Sequence, residues 1–223
     1  MSKRGSVNRF SGILFDLDGT LVDSLDLVVE CFIHTCRTHL GTTPTREWII
    51  GTIGRPLAGV LDELAPGRGP ELLAAYSDYH ERRHDELIRP FPPALDVVRA
   101  LHRQGMPLGI VTSKRRHVAK MALELFDLAD LFTTVVALED TTRHKPQPDP
   151  LLAGAARLAL LPRNVLYVGD SVHDILAAKA AGMPVASVLW GAGSREALLA
   201  LHPNVVLAQP ADLLAWLLDR TSS

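Results

Sequence analysis

Asp16-Leu17-Asp18-Gly19-Thr20 sets two carboxylates at i and i+2, then a glycine and a hydroxyl, directly after the apolar run Ile13-Leu14-Phe15. On an extended backbone, side chains at i and i+2 point to the same side, so the two anions are forced together at the end of a strand. Open α/β sheets bind their ligands at the carboxyl ends of their strands. Paired anions repel in a low-dielectric cleft, and water or a cation must reconcile them. A Mg²⁺ site with one carboxylate left free for chemistry meets that requirement. Three later segments end at the same edge. The run 107–112 (PLGIVT) finishes in Thr112, followed by Ser113-Lys114; 133–137 (TTVVA) leads to His144-Lys145-Pro146 and Pro148-Asp149-Pro150; 165–169 (VLYVG) leads to Gly169-Asp170 and, four residues on, Asp174. Singly, each has an ordinary reading, since a terminal Thr caps helices, a loop lysine is solvated and Gly-Asp makes turns. Four such features at one sheet edge form a constellation.

The elements that must position them are legible as an alternation. Strands at 12–16, 107–112, 133–137, 165–169 and 184–189 are separated by helical stretches at 94–104, 116–125, 150–159 and 173–181, with Gly105 and Gly182 as helix stops. This predicts an α/β fold, a Rossmann-like core with a parallel sheet flanked by helices. Residues 24–92 read differently, as helices at 24–39, 45–51, 57–64 and 70–88 with no convincing strand, and Phe91-Pro92-Pro93 reads as a hinge back to the core. The expected organisation is therefore a catalytic core of 1–23 and 93–223 with an inserted all-helical cap domain, 24–92, lying over the site as a lid.

Composition is that of a soluble globular protein, 47% hydrophobic and 22% charged. A formal net charge of −2 gives no electrostatic reason to expect nucleic acid or an anionic membrane as partner. No apolar run approaches the roughly 20 residues a membrane helix needs, and the start MSKRGSVNRF lacks a signal segment. Cys31 and Cys36, five apart in one helical stretch and on different faces, read as reduced packing residues, which points to the cytoplasm. Monomer and homodimer both stay open.

These motifs resemble those of the haloacid dehalogenase superfamily of phosphohydrolases. The first family motif, DxDGT, matches Asp16 to Thr20; the second, a Ser or Thr closing a strand, matches Thr112; the third, a lysine after the third strand, matches Lys145; the fourth, GDxxxD, matches Gly169-Asp170 through Asp174. Ser113 stands where the family often has Asn, and the helical insertion fits the subgroup with a cap after the first motif.

The resemblance implies that Asp16 attacks phosphorus and forms an aspartyl phosphate, splitting one hard step into two. Asp18 then serves as acid and base. It further implies Mg²⁺ held by Asp16, the Asp18 main-chain carbonyl and Asp170. Thr112 and Lys145 bind the transferring oxygens, with Asp174 and Ser113 standing behind them. Gly19 and Thr20 line the phosphoryl site, Thr20 with the alternative of stabilising the turn. Within the superfamily the chain looks most like phosphoglycolate phosphatases and related pyrophosphatases, so the expected partner is a small phosphorylated metabolite or pyrophosphate. The cap loop Gly51 to Leu57 offers Arg55 as a clamp for a second anionic group, or as a solvated loop residue.

A phosphomutase of the β-phosphoglucomutase type, or a phospho-receiver without turnover, uses the same core residues. Residues 80–84, His-Glu-Arg-Arg-His, match the H-E-x-x-H zinc signature, but lie in a helix that reads as an exposed charged face.

Overall fold

The computed structural model describes residues 9–53 and 55–218. Strand β1 (Gly12–Phe15) leads through the two-residue strand β2 (Val22–Asp23) into four helices, α1 (Leu25–Leu40), α2 (Arg46–Thr52), α3 (Leu57–Leu64) and α4 (Gly69–Leu87). Strand β3 (Arg89–Pro90) returns antiparallel to β2 and delivers the chain to α5 (Pro92–Arg103). Alternation follows through β4 (Leu108–Val111), α6 (Arg116–Leu125), β5 (Thr134–Val136), α7 (Asp149–Arg157), β6 (Val165–Gly169), α8 (Val172–Ala180), β7 (Val185–Val188), α9 (Arg195–Ala200), β8 (Val205–Leu207) and α10 (Ala211–Leu218).

The large sheet has six strands in the order β5-β4-β1-β6-β7-β8, with every described pairing parallel. Parallel strands joined by helices are covered on both faces, so their sequences are apolar throughout rather than alternating. β1, β4, β6 and β7 are buried along their whole length. Ile13 and Phe15 join a cluster with Val98 and Ala122 on one face, while Leu14 and Tyr167 join Leu151 and Ile175 on the other. A fully buried Leu or Ile contributes roughly 2 kcal/mol, so β1 alone is a strong anchor. The strand order reverses direction between β1 and β6, the crevice where open α/β sheets bind ligands.

Helices α1 to α4 have an apolar centre of their own, built from Leu27, Phe32, Ile49, Leu61, Leu72 and Tyr76. They form the helical cap, joined to the sheet region through the β2–β3 ribbon. α1 stops where Gly41 turns left-handed at φ 68, and Pro70 opens α4 near its first position, where a missing N–H costs nothing.

The sequence-predicted elements lie within two residues of those observed. Two differences stand out. Strand β3 falls inside a stretch read as strand-free, because a two-residue ribbon shows no periodicity. Pro92 and Pro93 begin α5 instead of forming a hinge, and Phe91 extends the ribbon by donating its N–H to the Leu21 carbonyl at 2.9 Å. Beyond residue 189, α9, β8 and α10 complete the sheet edge and its cover.

Candidate active site

Asp16 follows β1, Asp170 follows β6, and the two strands are neighbours, so the carboxylates meet at the topological switch point. Lys145 comes from the loop after β5. That loop is tied down by Asp140, whose carboxylate accepts from Arg157 at 2.8 Å and the Ala137 N–H at 2.7 Å and also pairs with Arg116. The Lys145 ammonium stands 3.0 Å from Asp16 and 2.7 Å from Asp174, and donates to the Tyr167 hydroxyl at 3.2 Å. Asp174 is fully buried. Ser171 caps α8 and gives Asp174 Oδ2 both its main-chain N–H at 3.0 Å and its hydroxyl at 2.6 Å.

Burial would lower the Lys145 ammonium, but the Asp16 and Asp174 carboxylates hold it well above its usual value, so it stays charged. Burial lifts the Asp16 carboxyl well above the carboxylate range; Lys145 opposes this, while Asp174, Asp170 and Asp18 reinforce it. Asp18 faces elsewhere. Its carboxylate accepts from the Ser24 hydroxyl and pairs with Lys114 at 2.9 Å. Burial raises its pKa, yet Lys114 and Ser24 together leave it below the ordinary value, hence ionised. Thr112, 4% exposed, closes β4 and accepts the Lys114 N–H on its hydroxyl at 3.1 Å. It caps no helix, since Arg115 precedes α6.

Carboxylate oxygens of Asp16, Asp170 and Asp174 lie within 4.8 Å of one another, all buried. Lys145 is the cation paired with two of them, while Asp170 receives only the Ala192 N–H at 2.8 Å among the described residues. The backbone makes room for this. A Cβ at Gly19, held at φ +76, would stand 2.2 Å from an Asp170 oxygen, and one at Gly191 would do the same. Three hard oxygen donors with an excess of negative charge fit a divalent cation.

Burial, with Asp174 next, raises the Asp170 carboxyl from 3.8 to about 7. A carboxyl raised on folding stabilises the fold fully below its unfolded pKa and loses that contribution as pH climbs through the folded value. The metal-free protein is therefore expected to melt lower at pH 8 than at pH 5.5, with Asp170→Asn flattening that slope. Parallel melting curves for the two proteins across this range in EDTA would contradict it.

A cavity of about 500 Å³ opens over the site, lined by Asp16, Asp18, Thr112, Lys145 and Asp170 from below and by the cap from above. Gly19 lines it too, whereas Thr20 does not. Its hydroxyl is buried in the turn without a partner among the described residues, while its carbonyl accepts the Trp190 indole N–H at 2.9 Å. Ser113 is exposed at the cavity wall rather than behind the catalytic groups. Arg55 reaches the cavity but pairs with Glu63. Gly54, in the same loop, lies outside the described residues. Cys31 and Cys36 are free and buried.

The exposed-face reading of His80 and His84 is wrong. Leu72, Tyr76, His80 and His84 repeat every four residues and form the buried stripe of α4. His80 is 9% exposed, faces the cavity, and is lowered to about 3 by burial and Lys114, so its ring is neutral. Glu81 instead bridges to His117 of α6 at 2.6 Å, tying cap to core. Sequence reasoning also passed over Lys114, although it stands beside Thr112, and Tyr167, although it shares a strand face with Gly169 two residues on.

The family model described as haloacid dehalogenase-like hydrolase matches residues 13–188. A pyrophosphatase, PpaX, from Anoxybacillus flavithermus is 40% identical over 205 residues, covering 92% of this chain and 95% of that protein. Among solved structures, a hydrolase of the haloacid dehalogenase-like family from Streptococcus pneumoniae superposes with a TM-score of 0.85 at 26% identity, covering 93% of this chain and 98% of that one. A protein from Haemophilus somnus, described as a predicted phosphoglycolate phosphatase, gives a TM-score of 0.85 at 23% identity, covering 94% of this chain and 99% of that one, a likeness of fold alone. No described helix is long and apolar enough to cross a membrane.

Proposed function

Since the chain belongs to the haloacid dehalogenase-like hydrolases, we propose that it is a Mg²⁺-dependent phosphatase that cleaves inorganic pyrophosphate through an aspartyl-phosphate intermediate. The observation that carries the reading is the buried line Asp16–Lys145–Asp174 at the floor of the cavity. Asp16 attacks phosphorus as the bond to the departing oxygen breaks, giving the phosphorylated carboxylate. Asp18, ionised beside Lys114 and Ser24 in the free protein, takes up a proton in the substrate complex and gives it to that departing oxygen. It then takes one from the water that displaces Asp16 and releases phosphate. Lys145 and the Thr112 hydroxyl hold the oxygens on which charge gathers. Asp16, Asp170 and the Asp18 main-chain carbonyl would hold Mg²⁺, which neutralises charge so that two anions can meet.

Residues 24–92 act as a lid that excludes bulk water while the phosphoenzyme lasts. The pyrophosphate reading is supported by the cations that line the cavity and by the pyrophosphatase relative, 40% identical along nearly its whole length. Lys114, Arg115 and Arg55 line the cavity in addition to Lys145, which suits a substrate with a second phosphoryl group over phosphoglycolate. The same relative favours hydrolysis over the mutase and receiver readings. Free, buried Cys31 and Cys36 accord with the cytoplasm.

Phosphate release from pyrophosphate, phosphoglycolate, hexose phosphates and nucleotides tests this, each with Mg²⁺ and with EDTA. Pyrophosphate is expected to turn over best, and EDTA to stop turnover. A preference for phosphoglycolate would overturn the substrate and keep the class; no release from any compound would overturn both. Arg55→Ala is expected to raise KM for pyrophosphate about fivefold and for p-nitrophenyl phosphate by less than about twofold. Equal shifts would remove Arg55 as a selector.

A further inference from the structure

A lysine ammonium has three N–H donors. Two of those of Lys145 go to Asp174 Oδ1 at 2.7 Å and the Tyr167 hydroxyl at 3.2 Å, and the ammonium also stands 3.0 Å from Asp16 Oδ1 as an ion pair. These acceptors are not equivalent. Asp16 lines the cavity, whereas Tyr167 on β6 and Asp174 on α8 are both 0% exposed and lie behind the ammonium. Tyr167 has one hydrogen to donate and two acceptors in reach, Asp174 Oδ1 at 3.0 Å and the Val111 carbonyl at 3.3 Å. The nearer, charged oxygen takes it. Lys145, Tyr167 and Asp174 thus close a buried triangle, and Ser171 fills the remaining oxygen of Asp174.

A lysine carries a point charge on a flexible stem, and one ion pair leaves it free to swing about that contact. Two anchors behind it remove that freedom. We propose that Tyr167 is a positioning residue for the reaction: together with Asp174 it occupies two N–H groups of Lys145 from behind and leaves the third for the incoming phosphoryl oxygen, with the ammonium held beside Asp16. The inference rests on the phosphatase reading above. Tyr167 touches neither substrate nor metal and acts only through Lys145.

Tyr167→Phe keeps the ring and its packing and removes the anchor alone. With saturating Mg²⁺, kcat is expected to fall about tenfold while KM stays within about twofold, the mark of an interaction used in the transition state. Orthovanadate mimics that state, so its Kd, read by tryptophan fluorescence, is expected to rise about tenfold as well. In a Lys145→Ala background the same change is expected to add less than about twofold to the vanadate Kd, because its target is gone. An unchanged kcat and vanadate Kd in Tyr167→Phe would overturn the proposal. So would a full tenfold loss in the Lys145→Ala background, which would mark a role in the fold at large. Wild-type protein that fails to bind vanadate overturns the phosphatase reading and this one with it; tight wild-type binding with an indifferent Tyr167→Phe overturns this one alone.

Discussion

An Asp16→Asn variant is expected to lose at least about 10⁴-fold in kcat/KM for any phosphorylated substrate, because the amide cannot form the phosphoenzyme. The fold should survive, and without metal it should become more stable. Asp16 sits among Asp174, Asp170 and Asp18, and burial lifts its carboxyl well above the usual range. Burial and these neighbouring carboxylates disfavour its ionised form, and the neutral amide removes that repulsion while its oxygen still faces Lys145. A gain of about 1 kcal/mol corresponds to roughly 2–4 °C in Tm for a chain of this size. Melting curves in EDTA check this directly. A variant melting below wild type would show that the pair with Lys145 outweighs the repulsion, and more than about 1% residual turnover would remove Asp16 as nucleophile.

Lys145→Ala is expected to cost about 10²–10³-fold in kcat, the usual loss when a preorganised charge at the transition state is removed. It should also weaken the fold. Lys145 pairs with Asp16 and Asp174, which are almost completely buried, and deleting one partner of a buried pair costs about 3–5 kcal/mol. Mg²⁺ is expected to restore part of the lost Tm, since a divalent cation relieves the same excess of carboxylates. Lys145→Arg should rescue neither property fully, because a planar guanidinium does not fit a niche shaped by three acceptors around one ammonium. Full activity in either variant would exclude Lys145 from the phosphoryl site. Unchanged stability of the alanine variant would mean that Asp16 or Asp174 takes a proton in its place.

Much of this molecule was legible in one dimension, for identifiable reasons. Parallel strands are apolar on both faces, so β1, β4, β6 and β7 appear as uninterrupted runs, and the polar groups that end them mark the ligand edge. Asp16, Thr112, Lys145 and Asp170 could therefore be placed at one edge before any contact was known. The same logic failed where elements are short or faces ambiguous. The β2–β3 ribbon has too few residues for a period. Helix α4 has charged residues on most sides, which hid the four-residue stripe that turns His80 toward the cavity.

What the sequence determined by itself is the four polar groups placed after strands, Asp16, Thr112, Lys145 and Asp170, and the sheet edge that holds them, since both follow from strand periodicity and local spacing. What only the tertiary structure decided is how those groups are paired. Asp18 faces Lys114 and Ser24, Asp174 and Tyr167 both hold Lys145, and His80 arrives from the cap. Each pairing joins residues that are distant in the chain or set on different faces of one element. The geometry that chooses between partners comes from packing strands and helices against each other, and no local spacing encodes it.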